Sequence, residues 1–112
     1  AAHPDAVPTS GRIGDPLLTL HNTGDLFVPI SMEQSYLAKA KAAGTAGFLV
    51  QRAIRAAGHC QFSDAERLAA WNDLVAWVRD GKKPAGEDLS GDLSNAGMAF
   101  TNPLRAGDPG TK

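Results

Sequence analysis

At 112 residues the chain has the length of one domain, and the core that a chain of this size buries is modest. Eleven Lys and Arg side chains against 12 Asp and Glu leave a net charge of −1 with no basic stripe, so the electrostatics give no reason to expect a nucleic acid or an anionic membrane as partner. The longest apolar runs fall far short of a membrane span, and a single cysteine, Cys60, excludes an internal disulfide framework while leaving open a bridge to a second chain.

Residues 1–15 carry Pro4, Pro8, Gly11 and Gly14 among polar residues and read as an extended leading segment. The first residue is Ala rather than Met, and no signal peptide is visible; a processed precursor of a secreted, extracellular enzyme fits, and so does a trimmed chain. Pro16 then opens Leu17-Leu18-Thr19-Leu20-His21, which lacks polar alternation apart from Thr19 and predicts a strand covered on both faces in a parallel sheet. The strand runs into Asn22-Thr23-Gly24-Asp25-Leu26-Phe27-Val28-Pro29, a segment of turn chemistry. Ser31 and Gln34 have capping-box spacing, and Met32, Tyr36, Leu37 and Ala40 fall on one helical stripe that Gly44 ends.

Phe48 to Ile54 predicts a second strand, less buried than the first because it contains Gln51 and Arg52, as befits a position toward a sheet edge. Ser63 and Glu66 form a second capping pair. The helix they open has Leu68, Trp71, Leu74, Val75 and Val78 on its expected apolar face and stops at Gly81, before Lys82, Lys83 and Pro84. Trp71, Trp77 and Tyr36 read as packing residues. Residues 82–112 form a tail rich in Gly, Pro, Asp and Ser, with one apolar cluster, Met98, Phe100 and Leu104, expected to anchor it along a partner surface.

The order strand, helix, strand, helix, tail defines an α/β class, with two parallel strands joined by a right-handed crossover over residues 16–81. Two parallel strands do not make a self-sufficient domain, since parallel sheets occur with both faces covered and usually with more strands. The chain is therefore expected to be one end of a larger α/β unit, completed by another chain or segment.

Asp25 follows the first strand and His59 follows the second. At the carboxyl ends of neighbouring parallel strands they lie where open α/β sheets place their ligands. Taken singly, Asp25 is as well explained as a turn residue, and His59 as an ordinary loop histidine. Together they are the second half of a Ser…Asp…His chain order, whose first half, a G-x-S-x-G turn, is nowhere in the sequence. In that reading Asp25 orients one ring nitrogen of His59, and the other nitrogen serves as general base for a serine on a separate polypeptide or segment. Leu26, Phe27 and Phe62 flank the pair and are expected to line the substrate pocket. A metal site from His21, Asp25 and His59 matches no standard ligand spacing, so no metal is expected. Cys60 adjoins His59 in sequence, which leaves the imidazole poorly placed to activate it. A buried structural thiol is expected, with an interchain disulfide as the alternative.

From about Gly11 to Gly86 the chain resembles the C-terminal portion of α/β-hydrolase-fold enzymes, from the penultimate core strand to the last helix. The matching residues are Pro16 to His21, Gly24-Asp25, Val28-Pro29 and Gly58-His59-Cys60-Gln61-Phe62, with the helix Asp64 to Asp80 and its two tryptophans as the last helix. It is most similar to secreted actinobacterial-type serine hydrolases with a Gly-His-Cys-x-Phe loop. The resemblance implies Asp25 as the acid and His59 as the base of a triad acting on an ester or amide, with ester preferred. It implies no cofactor, and a partner chain that carries the nucleophilic serine and the oxyanion donors, which match no position here. A proteolytically processed heterodimer is the corresponding assembly. The alternative is a non-catalytic fragment or interaction module that keeps the hydrolase shape.

Overall fold

Two parallel strands and two helices alternate along the chain, a small α/β arrangement. The computed structural model describes residues 7–102. Strand β1 is Leu17–Gly24, helix α1 is Ser31–Ala42, strand β2 is Leu49–Ala57 and helix α2 is Asp64–Asp80, with a short 3-10 turn, Ala46–Phe48, before β2. The strands pair in parallel register from Leu17 opposite Leu49 to Asn22 opposite Ile54, and an irregularity follows before Gly24 meets Ala57. Parallel pairing requires a crossover, and α1 supplies it.

Alternation along the strands directs successive side chains to opposite faces. Leu17 and Leu49 face α1 and pack with Ile13, Ala40, Tyr36, Leu37 and Ala46. On the same face Thr19 donates to the Glu33 carboxylate at 3.0 Å and the Gln51 amide donates to it at 2.6 Å, so one α1 side chain ties both strands. On the other face Arg52 reaches Asp73 of α2 at 2.7 Å. Ile54 and Leu89 are fully buried, which contributes roughly 1.5–3 kcal/mol for each.

Four details differ from the sequence expectations. First, β2 is the more buried strand: Gln51 and Arg52 are 3% and 4% exposed, whereas most of β1 is half-buried. The two polar residues find partners: the Gln51 Nε2 donates to Glu33, though its buried Oε1 accepts from nothing among the described residues, and Arg52 finds Asp73, the Ala85 carbonyl and the face of Phe100, 4.3 Å from the ring centre. Second, Ser31 is the first helical residue rather than the cap of α1. Gln34 instead donates to the Leu89 carbonyl at 2.8 Å, drawn away by the tail. Third, α2 buries Glu66, Ala70 and Trp77, and Leu68, Trp71 and Val78 of the expected apolar face are exposed. Fourth, the described part of the tail lies along β2 of its own chain. Glu87 N–H donates to the Gln51 carbonyl at 2.8 Å, and Arg55 N–H donates to Thr101 Oγ1 at 2.8 Å. Phe100 joins this contact, Met98 is exposed, and Leu104 lies outside the described residues.

Among the described residues no strand pairs with the outer edge of β1, and no helix is long and apolar enough to cross a membrane. The Ser63–Glu66 capping box forms as expected: Ser63 Oγ accepts from Glu66 N–H at 3.2 Å, and Glu66 accepts from Ser63 N–H at 2.7 Å. The second Glu66 oxygen accepts from Asn102 N–H at 2.9 Å. Ser63→Ala in the complete protein is expected to cost about 1 kcal/mol of stability. Glu66→Ala is expected to cost more, because it also releases the tail. Urea denaturation of the two variants orders them.

Candidate active site

The parallel register delivers the ends of β1 and β2 to one edge of the sheet, and the two loops that leave that edge carry Asp25 and His59. Gly24 N-terminal to the acid is required by space. A Cβ there would meet the Ala56 carbonyl oxygen and the Ala57 Cα at 2.9 Å each, both of them backbone atoms. The same closeness lets the Gly24 carbonyl accept from Gly58 N–H at 3.2 Å. Gly58 has φ +103°, a conformation open to glycine, and this turns the chain sharply just before His59.

The Asp25 carboxylate is almost completely buried, its side chain 3% exposed, and it is fully engaged. Oδ1 accepts from the backbone N–H groups of Phe27 and Val28, both at 2.9 Å. Oδ2 lies 2.6 Å from His59 Nδ1. Asp25 is lowered from the ordinary 3.8 to about 2, chiefly by the Val28 N–H bond, with the His59 contact and the Phe27 N–H adding to it against the opposing effect of burial. An ionised carboxylate only accepts, so the 2.6 Å contact places a proton on Nδ1 of His59. In the neutral ring Nε2 is then the acceptor. It makes no hydrogen bond among the described residues, and the side chain is half exposed. The arrangement is an oriented imidazole with its basic nitrogen directed away from its carboxylate.

The structure thus brings together Asp25 and His59. Phe27 meets the His59 ring edge-on, with centres 6.4 Å apart and planes at 77°. Leu26 and Phe27 project outward, 93% and 84% exposed, and form a rim rather than an enclosed pocket. Phe62 is half-buried and makes no ring contact with the pair. Two open depressions near the tail, one by Thr23, Arg55 and Leu93 and the other by Glu87, Leu89 and Asn95, include neither Asp25 nor His59. His21 is not brought to the pair. Its Nε2 donates to the Val28 carbonyl at 2.7 Å and its Nδ1 lies 3.3 Å from Glu33, so it braces the Asp25 loop from behind. Among the described residues no cluster of three or more His, Cys, Asp or Glu side chains has the arrangement of a metal site. Cys60 is exposed, with φ +56°, which corrects the expectation of a buried thiol: the sharp turn after Gly58 swings it outward.

Ser63 Oγ accepts from Glu66 N–H, the Ser90 and Ser94 hydroxyls donate to the Asp88 and Asp92 carboxylates, and no described serine bonds to His59. One residue of consequence escaped the sequence reading. Asn22, buried near the end of β1, bonds the loop that carries His59, and its only trace in the sequence is an amide at the end of an apolar strand. No family model, curated protein or solved structure matches this chain.

The lowered Asp25 pKa has a stability consequence of definite sign. Because the folded state holds the carboxylate ionised more firmly than the unfolded chain does, its contribution is fully present above the ordinary value near 3.8. It is lost as pH falls from there through about 2. Asp25→Asn is expected to flatten the acid limb of the stability profile in this window. Denaturation midpoints measured across it, with carboxyl ¹³C titration of Asp25, provide the check.

Proposed function

We propose that this chain supplies the acid and the general base of a Ser-Asp-His triad in a serine hydrolase of the α/β-hydrolase fold, with the nucleophilic serine and the oxyanion donors on a separate chain or segment. The observation that carries the reading is the 2.6 Å contact between Asp25 Oδ2 and His59 Nδ1, which leaves Nε2 without a hydrogen bond among the described residues. Its chain order, acid after one parallel strand and histidine after the next, agrees with that fold. Support for missing neighbours comes from the outer edge of β1, which pairs with no strand among the described residues, from the exposed Leu26 and Phe27 beside the pair, and from the exposed Met32 on α1 and Leu68, Trp71 and Val78 on α2.

In the proposed reaction a serine hydroxyl on the companion attacks the acyl carbon of an ester or amide. Its proton passes to Nε2 of His59 as the O–C bond forms. Asp25 stabilises the resulting imidazolium. Collapse of the tetrahedral intermediate breaks the bond to the leaving group, which takes the proton from Nε2. Water then repeats the sequence and releases the acid and the free serine. Leu26, Phe27 and Phe62 form the part of the substrate rim that this chain contributes. No cofactor enters, and secretion of a processed heterodimer suits the family that the chain resembles.

In the assembled enzyme His59→Ala is expected to reduce reaction with a serine-directed phosphonate probe to background, and Asp25→Asn to lower turnover on the order of 10⁴-fold by releasing the tautomer. An unaltered labelling rate in His59→Ala would sink the assignment. Complete absence of a labelled serine in any co-purifying polypeptide would favour the non-catalytic module. Heated alone, the 112-residue chain is expected to lack a sharp cooperative melt, which calorimetry reads directly.

A further inference from the structure

The loops that bear the acid and the base are both bonded to one side chain and its own backbone. Asn22 is 1% exposed and is the last residue of β1 in regular register before the strands become irregular. Its carbonyl oxygen accepts from Asp25 N–H at 3.4 Å. Its carboxamide spans to the other loop, where Oδ1 accepts from Gln61 N–H at 2.7 Å and Nδ2 donates to the Gln61 carbonyl at 2.9 Å. This two-point contact copies the donor–acceptor exchange of a strand pair, carried by a side chain past the place where the strands stop pairing.

The consequence falls on His59. The segment around it is fixed to β1 on both sides, at Gly58 through the Gly24 carbonyl and at Gln61 through Asn22. Only His59 and Cys60 lie between these anchors. Among the described residues the half-exposed imidazole has no hydrogen bond to hold it except that to Asp25. A shift of the loop therefore translates directly into the Nδ1–Oδ2 distance. Leucine at position 22 fills the volume without either bond. Aspartate keeps the acceptor for Gln61 N–H but sets a carboxylate against the Gln61 carbonyl.

We propose that Asn22 is a positioning residue, clamping the His59 loop so that the imidazole stays within hydrogen-bond distance of Asp25. The proposal rests on reading Asp25 and His59 as acid and base, and it touches no reacting atom itself.

The test uses the complete assembled protein, a serine-directed phosphonate probe, and the low-field NMR resonance of the hydrogen-bonded His59 Nδ1 proton. The resonance is expected in the unaltered protein and lost in Asp25→Asn. In Asn22→Leu it is expected to broaden or vanish. The saturating rate of probe reaction should then fall roughly 10- to 100-fold while the half-saturating probe concentration stays within about twofold. Asn22→Asp should show the same change to a smaller degree. An Asn22→Leu protein with resonance and rate intact overturns the proposal and leaves the acid–base reading standing. A resonance that is absent from the unaltered protein, or that survives Asp25→Asn, overturns that reading instead. Should neither Asn22 variant fold, amide exchange in the unaltered protein decides: protection of Gln61 N–H at the level of the β2 amides is expected, and exchange at the rate of a free loop refutes the clamp.

Discussion

Parallel pairing of β1 and β2 is the constraint on which the rest depends. In an antiparallel pair the residues that follow the two strands emerge at opposite ends of the sheet, some tens of ångströms from meeting. Here both strands end at one edge, Gly24 opposite Ala57, and the close backbone approach at Gly24 lets the two exit loops lie against each other. The crossover through α1 brings the acid and the imidazole to the same end of the sheet, and the contacts of Gly24, Gly58 and Asn22 hold their loops together. Their separation in sequence is 34 residues, and the pairing reduces it to a hydrogen bond.

Carboxylates do much of the joining in this small unit. Glu33 ties α1 to both strands, Glu66 closes the start of α2 and holds Asn102, and Glu87 accepts from Ala53 N–H and Gly97 N–H at 2.9 Å each. Asp25 follows the same pattern with two backbone amides and an imidazole. Each accepts several donors, which offsets the desolvation of a charged group brought inside. Among the described residues the apolar core on the α1 side rests on three buried ones, Ile13, Ala40 and Leu49, so directional bonds carry a larger share of the specificity than they would in a thicker domain.

The strand–helix alternation was legible because apolar runs, caps and glycine stops sit where local chemistry demands them, and the Ser63–Glu66 box formed as its spacing requires. The Asp25–His59 contact was legible from chain order. What escaped was decided by tertiary partners. Gln51 and Arg52 look like surface residues until Glu33 and the tail supply their bonds. Ser31 and Gln34 have the right spacing, yet a distant carbonyl, that of Leu89, outcompetes the helix start for the Gln34 amide. Periodicity gave α2 an apolar stripe but did not say which stripe faces this sheet, and the small Ala70 with Trp77 faces it instead. Asn22 carries no local signature, because its side chain finds its partner 39 positions away.

The tail gives the sheet a direction. Strand β2 turns the backbone groups of Gln51, Ala53 and Arg55 outward, and one group of each is taken: the Gln51 carbonyl by the Glu87 amide, the Ala53 N–H by the Glu87 carboxylate and the Arg55 N–H by a threonine hydroxyl. An extended segment arriving from that side meets a ladder in which each of these three residues already spends one group on the tail. Of the two flanks of the sheet, the β2 flank is the one the tail covers. The cover that blunts this edge against pairing with another chain is provided by loop residues that contribute no strand of their own.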